Sequence, residues 1–96
     1  MNKLYLITGF QEDINSPNYQ DLIQSVKGRY KVVPIDLGVT DPVYTFGKET
    51  FANIMARAVD QIVINPEQDI ILGFSIGGLV AWKLAERVRF KKVVIC

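Results

Sequence analysis

Four short apolar runs alternate along the chain with three longer stretches of helical period. The runs are Leu4-Tyr5-Leu6-Ile7, Tyr30-Lys31-Val32-Val33-Pro34-Ile35, Ile70-Ile71-Leu72-Gly73-Phe74 and Val93-Val94-Ile95-Cys96. Each is nearly continuous in apolar character rather than alternating, which suits strands covered on both faces of a parallel sheet. The first helical stretch opens at Ser16-Pro17, where serine can accept a bond from an orphan amide and proline suits the first helical position. Tyr19, Leu22, Ile23 and Val26 then share one face, and Gly28 supplies a stop. The second stretch carries Phe51, Ile54, Met55, Ala58 and Ile62 on one face and ends at Asn65-Pro66. The third runs from about Ile76 to about Arg89. Its apolar arc is wide (Leu79, Val80, Ala81, Trp82, Leu84, Ala85, Val88), which predicts the most buried of the three helices.

Strand, helix, strand, helix, strand, helix, strand predicts a three-layer α/β/α fold with a mostly parallel, doubly wound sheet and right-handed crossovers. The longest break, Asp36–Lys48, follows the second strand at the end where open α/β sheets bind ligands, and its Tyr44 and Phe46 are candidates to line an apolar pocket. Met55, Phe51, Trp82 and Phe90 are read as core or half-buried packing rather than a cofactor pocket. Arg87, Arg89, Lys91 and Lys92 are read as a solvated helix end that complements the helix dipole. Cys96 is read as a small buried hydrophobe.

Composition narrows the function. The 96 residues are 49% hydrophobic and 22% charged, an ordinary globular balance in one domain. Eleven basic and ten acidic residues give a net charge of +1, too even for an electrostatic nucleic-acid binder. One cysteine makes neither an internal disulfide nor a metal site. No apolar run approaches the length of a membrane span or a signal peptide core, so the expectation is a cytoplasmic protein with no membrane partner. There is no histidine, which removes histidine from both metal binding and general base catalysis within these residues.

One motif carries chemistry. Gly73-Phe74-Ser75-Ile76-Gly77-Gly78 fits the spacing Gly-x-Ser-x-Gly, directly after an apolar strand and directly before a helix. A strand-turn-helix of this kind places the serine in a strained turn, and Gly73 and Gly77 remove the Cβ atoms that would clash there. Gly78 gives a neighbouring element room to approach the helix. The turn lifts the Ser75 hydroxyl above the sheet, and the amide of Ile76 faces the same space as an oxyanion donor. Taken alone, Gly9-Phe10 reads equally as an ordinary strand-to-helix turn.

With these residues the chain resembles the α/β-hydrolase superfamily over essentially its whole length. The resemblance implies a serine esterase or thioesterase with Ser75 as nucleophile and no cofactor or metal. It implies a small acyl ester or thioester as substrate. It makes Thr8-Gly9-Phe10 the oxyanion loop, with the Phe10 amide as second donor beside that of Ile76; Gln11 is close enough in sequence to reach the same pocket. The family orders its triad serine, acid, histidine. After Ser75 this chain has one acid, Glu86, in the elbow helix and directed away, and no histidine. Asp36, at the end of the second strand, is the best placed of the upstream acids but reads more simply as a turn residue. The expectation is therefore that residues 1–96 form the N-terminal part of a longer hydrolase domain, with roughly 80–150 further residues for a domain of ordinary size. As given, the chain is expected to be nearly inert, since an unactivated serine is a weak nucleophile.

Two other readings stand beside this one. A non-catalytic module could keep the elbow as architecture and bind a partner or a small anion at the helix start. A phosphate-binding flavodoxin-like domain fits less well, because the glycine turn is too short for a phosphate loop and no lysine follows it. The apolar run Val93–Cys96 predicts an exposed edge strand, which invites a homodimer or poor solubility.

Overall fold

The computed structural model describes residues 2–9, 12–37 and 51–96, the last without the side chain of Phe51. Seven elements follow one another: β1 (Asn2–Ile7), α1 (Pro17–Val26), β2 (Tyr30–Pro34), α2 (Phe51–Asp60), β3 (Ile70–Gly73), α3 (Ile76–Ala85) and β4 (Lys92–Ile95). The strands form one sheet in the order β2-β1-β3-β4, and every pairing is parallel. This is the α/β architecture expected from the alternation of runs. No helix among the described residues is long and apolar enough to cross a membrane.

The strand order dictates where the helices go. The chain steps from β1 to β2 in one direction, then back past β1 to β3 and on to β4 in the other. Crossovers between parallel strands are right-handed, so a reversal of direction sends the connecting helices to the opposite face. The packing shows this. Leu4 and Leu6 of β1 meet Tyr19, Leu22, Ile23 and Val26 of α1 on one face. Tyr5 and Ile7 meet Ile54, Met55 and Ala58 of α2 and Val80, Ala81 and Leu84 of α3 on the other. Adjacent strand residues point to opposite faces, and both faces of β1 are covered. Hence Leu4, Tyr5, Leu6 and Ile7 are all buried, as the unbroken apolar run requires. The edge strands β2 and β4 are only half-buried at best.

The local signals fared less evenly. Ser16 is the N-cap of α1 with Pro17 behind it, but its side chain makes no cap bond; its carbonyl takes the amide of Gln20 at 3.0 Å instead. The helix ends at Lys27 in right-handed conformation, so Gly28 is not the residue that stops it. α2 ends at Asp60, before Ile62. Asn65 organises the turn beyond, its side chain accepting the amide of Glu67 and its carbonyl those of Gln68 and Asp69. α3 ends at Ala85 rather than near Arg89. It buries Gly77, Gly78, Val80, Ala81 and Leu84, yet Leu79 and Trp82 are 40% and 53% exposed. They lie three residues apart, on one side of the helix, while Val80, Ala81 and Leu84 meet the sheet from the other side. Trp82 is therefore a surface residue, against expectation, with the Lys83 ammonium 5.0 Å from its ring centre. Met55 is buried, and Phe90 is half-buried with its ring edge-on to Tyr5 at 6.3 Å. Arg87, Arg89, Lys91 and Lys92 are exposed as expected, but they lie beyond the helix, which ends at Ala85, and Lys92 opens β4.

The N-terminal end of the sheet is tied by one buried carboxylate. Asp69, just before β3, is 1% exposed. Its oxygens accept the amide of Lys3 at 2.9 Å and that of Asn65 at 2.7 Å, and the Lys3 ammonium lies 3.4 Å away. Its own carbonyl takes the amide of Lys91, which precedes β4. Beside it the Tyr5 hydroxyl donates to the carbonyl of Val63 and accepts its amide. Burial opposes the charge on Asp69, but the two amides and the ammonium outweigh it and hold the carboxyl below its ordinary value of 3.8. A depressed folded value means that stability is gained above the unfolded value and lost as pH falls through the folded one. Asp69→Asn should therefore cost about 2–4 kcal/mol at neutral pH, since one amide is left facing a donor. Urea unfolding of wild type and variant should show that gap close as pH drops below about 4.

Candidate active site at the strand-to-helix elbow

The two strands on either side of the sheet's reversal point, β1 and β3, run side by side and end together, Ile7 opposite Gly73. Open α/β sheets hold their ligands at this place. The ladder continues past β3: the Phe74 amide donates to the Ile7 carbonyl at 3.0 Å, and the Ser75 amide to the Cys96 carbonyl at 2.8 Å. Ser75 is thus strung between the ends of β1 and β4. It then begins α3 at once, as its N-cap.

Getting from strand to helix with only Phe74 and Ser75 between them has a conformational cost. Ser75 adopts φ 56° and ψ −121°, the only positive φ at a non-glycine residue among those described. The ψ value lies outside the small left-handed basin that other residues tolerate, and such a backbone costs on the order of 1–3 kcal/mol. The glycines answer a steric demand. A Cβ on Gly73 would sit 2.6 Å from the carbonyl carbon of Gly77 and 2.8 Å from the Cα of Gly78. One on Gly77 would lie 2.6 Å from the Ile7 oxygen and 2.7 Å from that of Thr8. Both are collisions with backbone that cannot swing away. Gly78 faces the Ile95 side chain, so the neighbour it admits is β4.

Ser75 is exposed and its side chain makes no cap bond. The amides of Gly77 and Gly78 are used within the turn, by Phe74 and Ser75 carbonyls. No acceptor pairs with the amide of Ile76 among the described residues, so it is left as a donor at a helix N-terminus. Phe10 and Gln11 lie outside the described residues, as do Tyr44 and Phe46 of the long loop. The loop start is described: the Ile7 and Thr8 carbonyls lie against the elbow at Gly77.

The acids weighed from the sequence are not brought to Ser75. Asp36 follows β2, two strand widths or about 10 Å from the end of β3; its backbone is held in a two-way bond with the side chain of Gln61. Glu86 is the C-cap of α3, ten residues of helix or about 15 Å from Ser75, and pairs with Lys83 at 3.7 Å. Cys96 is exposed rather than buried, because it lies past the end of an edge strand.

What sequence reasoning missed lies on the α1 side of the elbow. Tyr19 was legible only as an apolar helix position. The residue is 4% exposed, and its ring stands edge-on to that of Phe74 at 5.3 Å. Its hydroxyl donates to a Glu12 carboxylate oxygen at 3.0 Å and accepts the Gly9 amide at 3.3 Å. Burial raises the phenol above its ordinary 10.0, and the Glu12 charge adds to this against the opposing Gly9 bond. Tyr19 therefore remains a donor across the neutral range. Glu12, Asn18, Tyr19, Leu22 and Phe74 line a cavity of about 220 Å³ next to the elbow.

Comparison with known protein families, curated proteins and solved structures returned no match.

The strain at residue 75 and the closeness at residue 77 have opposite consequences for stability. Ser75→Gly should raise stability by about 1 kcal/mol by relieving the positive φ. Gly77→Ala should lower it by at least about 2–3 kcal/mol, because the added methyl meets two carbonyls. Both are read from chemical denaturation midpoints at constant slope.

Proposed function

We propose that Ser75 is the nucleophile of a serine hydrolase that cleaves a small ester or thioester through an acyl-serine intermediate. One observation carries the reading: an exposed serine holds a costly positive φ at the tip of a strand-to-helix turn. Strain of this kind persists only where the surroundings impose it, and it concentrates at functional sites. A serine that served only to cap a helix would have a relaxed backbone and a side-chain bond to the first turn; Ser75 has neither.

In the proposed reaction the Ser75 oxygen attacks the carbonyl carbon while its proton passes to a base. The negative charge that develops on the carbonyl oxygen is met by the Ile76 amide and, following the resemblance to α/β-hydrolases, by that of Phe10. The alcohol or thiol leaves with a proton, and water releases the acid from the serine. The base is a histidine supplied from outside these residues, because they contain none. The proposal places this chemistry in the cytoplasm, without cofactor, metal, nucleic acid or membrane. The open edge of β4, with Ile95 half exposed, is its proposed contact with a second copy. A non-catalytic binding module of the same architecture is the second reading. It is favoured by the distance of Asp36 and Glu86 from Ser75.

A fluorophosphonate probe tests the first reading, with imidazole added to stand in for the missing base. Peptide mass mapping should find the label on Ser75, imidazole should increase it, and Ser75→Ala should abolish it. Absence of labelling with imidazole present, or equal labelling of the Ala variant, would favour the binding module.

A further inference from the structure

The cavity between α1 and the elbow has a mixed wall. Tyr19, Phe74 and Leu22 make an apolar interior, and the Glu12 carboxylate and Asn18 amide provide the polar groups. At about 220 Å³ it holds roughly seven groups the size of a water molecule, below the range of about 300–1,000 Å³ typical of drug-sized ligands. It therefore suits a short chain of four or five heavy atoms with one polar end. Phe74 is both a wall of this cavity and the residue before Ser75 in the chain.

The charge on the wall selects the polar end. Among the described residues no cation pairs with Glu12. Its carboxylate is nonetheless held in position. One oxygen accepts the Tyr19 hydroxyl, and the other lies over Gly9 in space that a side chain at that position would fill. The backbone amide of Glu12 donates to the Gly9 carbonyl at 3.2 Å. Glu12 is exposed, and its carboxylate on the wall of the cavity repels an anion. It attracts a cation through its charge.

We propose that this cavity takes a short aliphatic chain ending in a protonated amine, which makes the substrate of Ser75 a small ester or thioester carrying an ammonium group. The assignment of the bound group to a substrate rests on the hydrolase reading; the preference of the cavity for an ammonium end does not.

Three probes of equal length separate the contributions: n-butylammonium, n-butanol and n-butyrate, each titrated into the isotope-labelled chain and followed by NMR. Butylammonium should shift the signals of Leu22 and Phe74 and bind about threefold more tightly than butanol, as one exposed ion pair provides. Butyrate should bind most weakly. Glu12→Gln keeps an acceptor for Tyr19, and it should bring butylammonium to the level of butanol while leaving butanol unchanged. Equal affinity for the three probes, shifts that miss the cavity, or unchanged butylammonium binding by the Gln variant would overturn the proposal. Fluorophosphonate labelling of the same samples keeps the two readings apart. Labelling at Ser75 with a failed titration removes the ammonium preference alone. A successful titration without labelling leaves a cation-binding cavity and removes the acyl chemistry.

Discussion

The beginning of α3 lies so close to the ends of β1 and β3 that no side chain fits between them. Carbonyl oxygens of Ile7 and Thr8 occupy the space into which a Cβ at position 77 would project, and the backbone of Gly77 and Gly78 does the same at position 73. This closeness lets the helix begin two residues after the strand ends. It leaves Ser75 no relaxed conformation to adopt, and it pins the Ile7–Thr8 backbone against the elbow. The strain, about 1–3 kcal/mol, is offset by the helix it launches. Val80, Ala81 and Leu84 are fully buried against the sheet, and Val80 and Leu84 alone contribute roughly 1.5–3 kcal/mol each.

The two ends of the sheet are built to different purposes. At the N-terminal end the polar groups are mutually satisfied: Asp69 joins the starts of β1, β3 and β4 through amides of three segments, and Tyr5 clamps the chain at Val63. A buried carboxylate so fully bonded is a fastening, and its depressed pKa expresses that. At the C-terminal end the groups face outward. Ser75 and Cys96 are exposed, and among the described residues the amide of Ile76 has no partner and no cation pairs with the Glu12 carboxylate on the cavity wall. Stability is concentrated at one end of the strands and chemical opportunity at the other, as open parallel sheets generally arrange it.

Parts of the site were readable in the chain and parts were not. Gly73 and Gly77 were, because a steric requirement on backbone leaves a trace in residue identity that only glycine meets, and their spacing marks Ser75 between them. The Tyr19–Glu12–Gly9 contact was not. Tyrosine on the inner face of α1 looks like any apolar helix position, and nothing in the spacing of Glu12 and Tyr19 shows that a hydroxyl will meet a carboxylate beside the elbow. Asp69 gave no signal either, since a lone acid before a strand more often faces water than three segments of backbone.

The sequence by itself determined the alternation of strands and helices, the parallel sheet and the position of the elbow, because apolar period and glycine placement are local properties. Tertiary structure alone decided the depth of each residue. Trp82 and Leu79 belong to a wide apolar arc in sequence, yet the sheet covers only one side of α3. Cys96 ends an apolar run, yet it lies past the last residue of an edge strand. Burial depends on which neighbours the fold supplies on each side, and that is settled by strand order, which no single segment encodes.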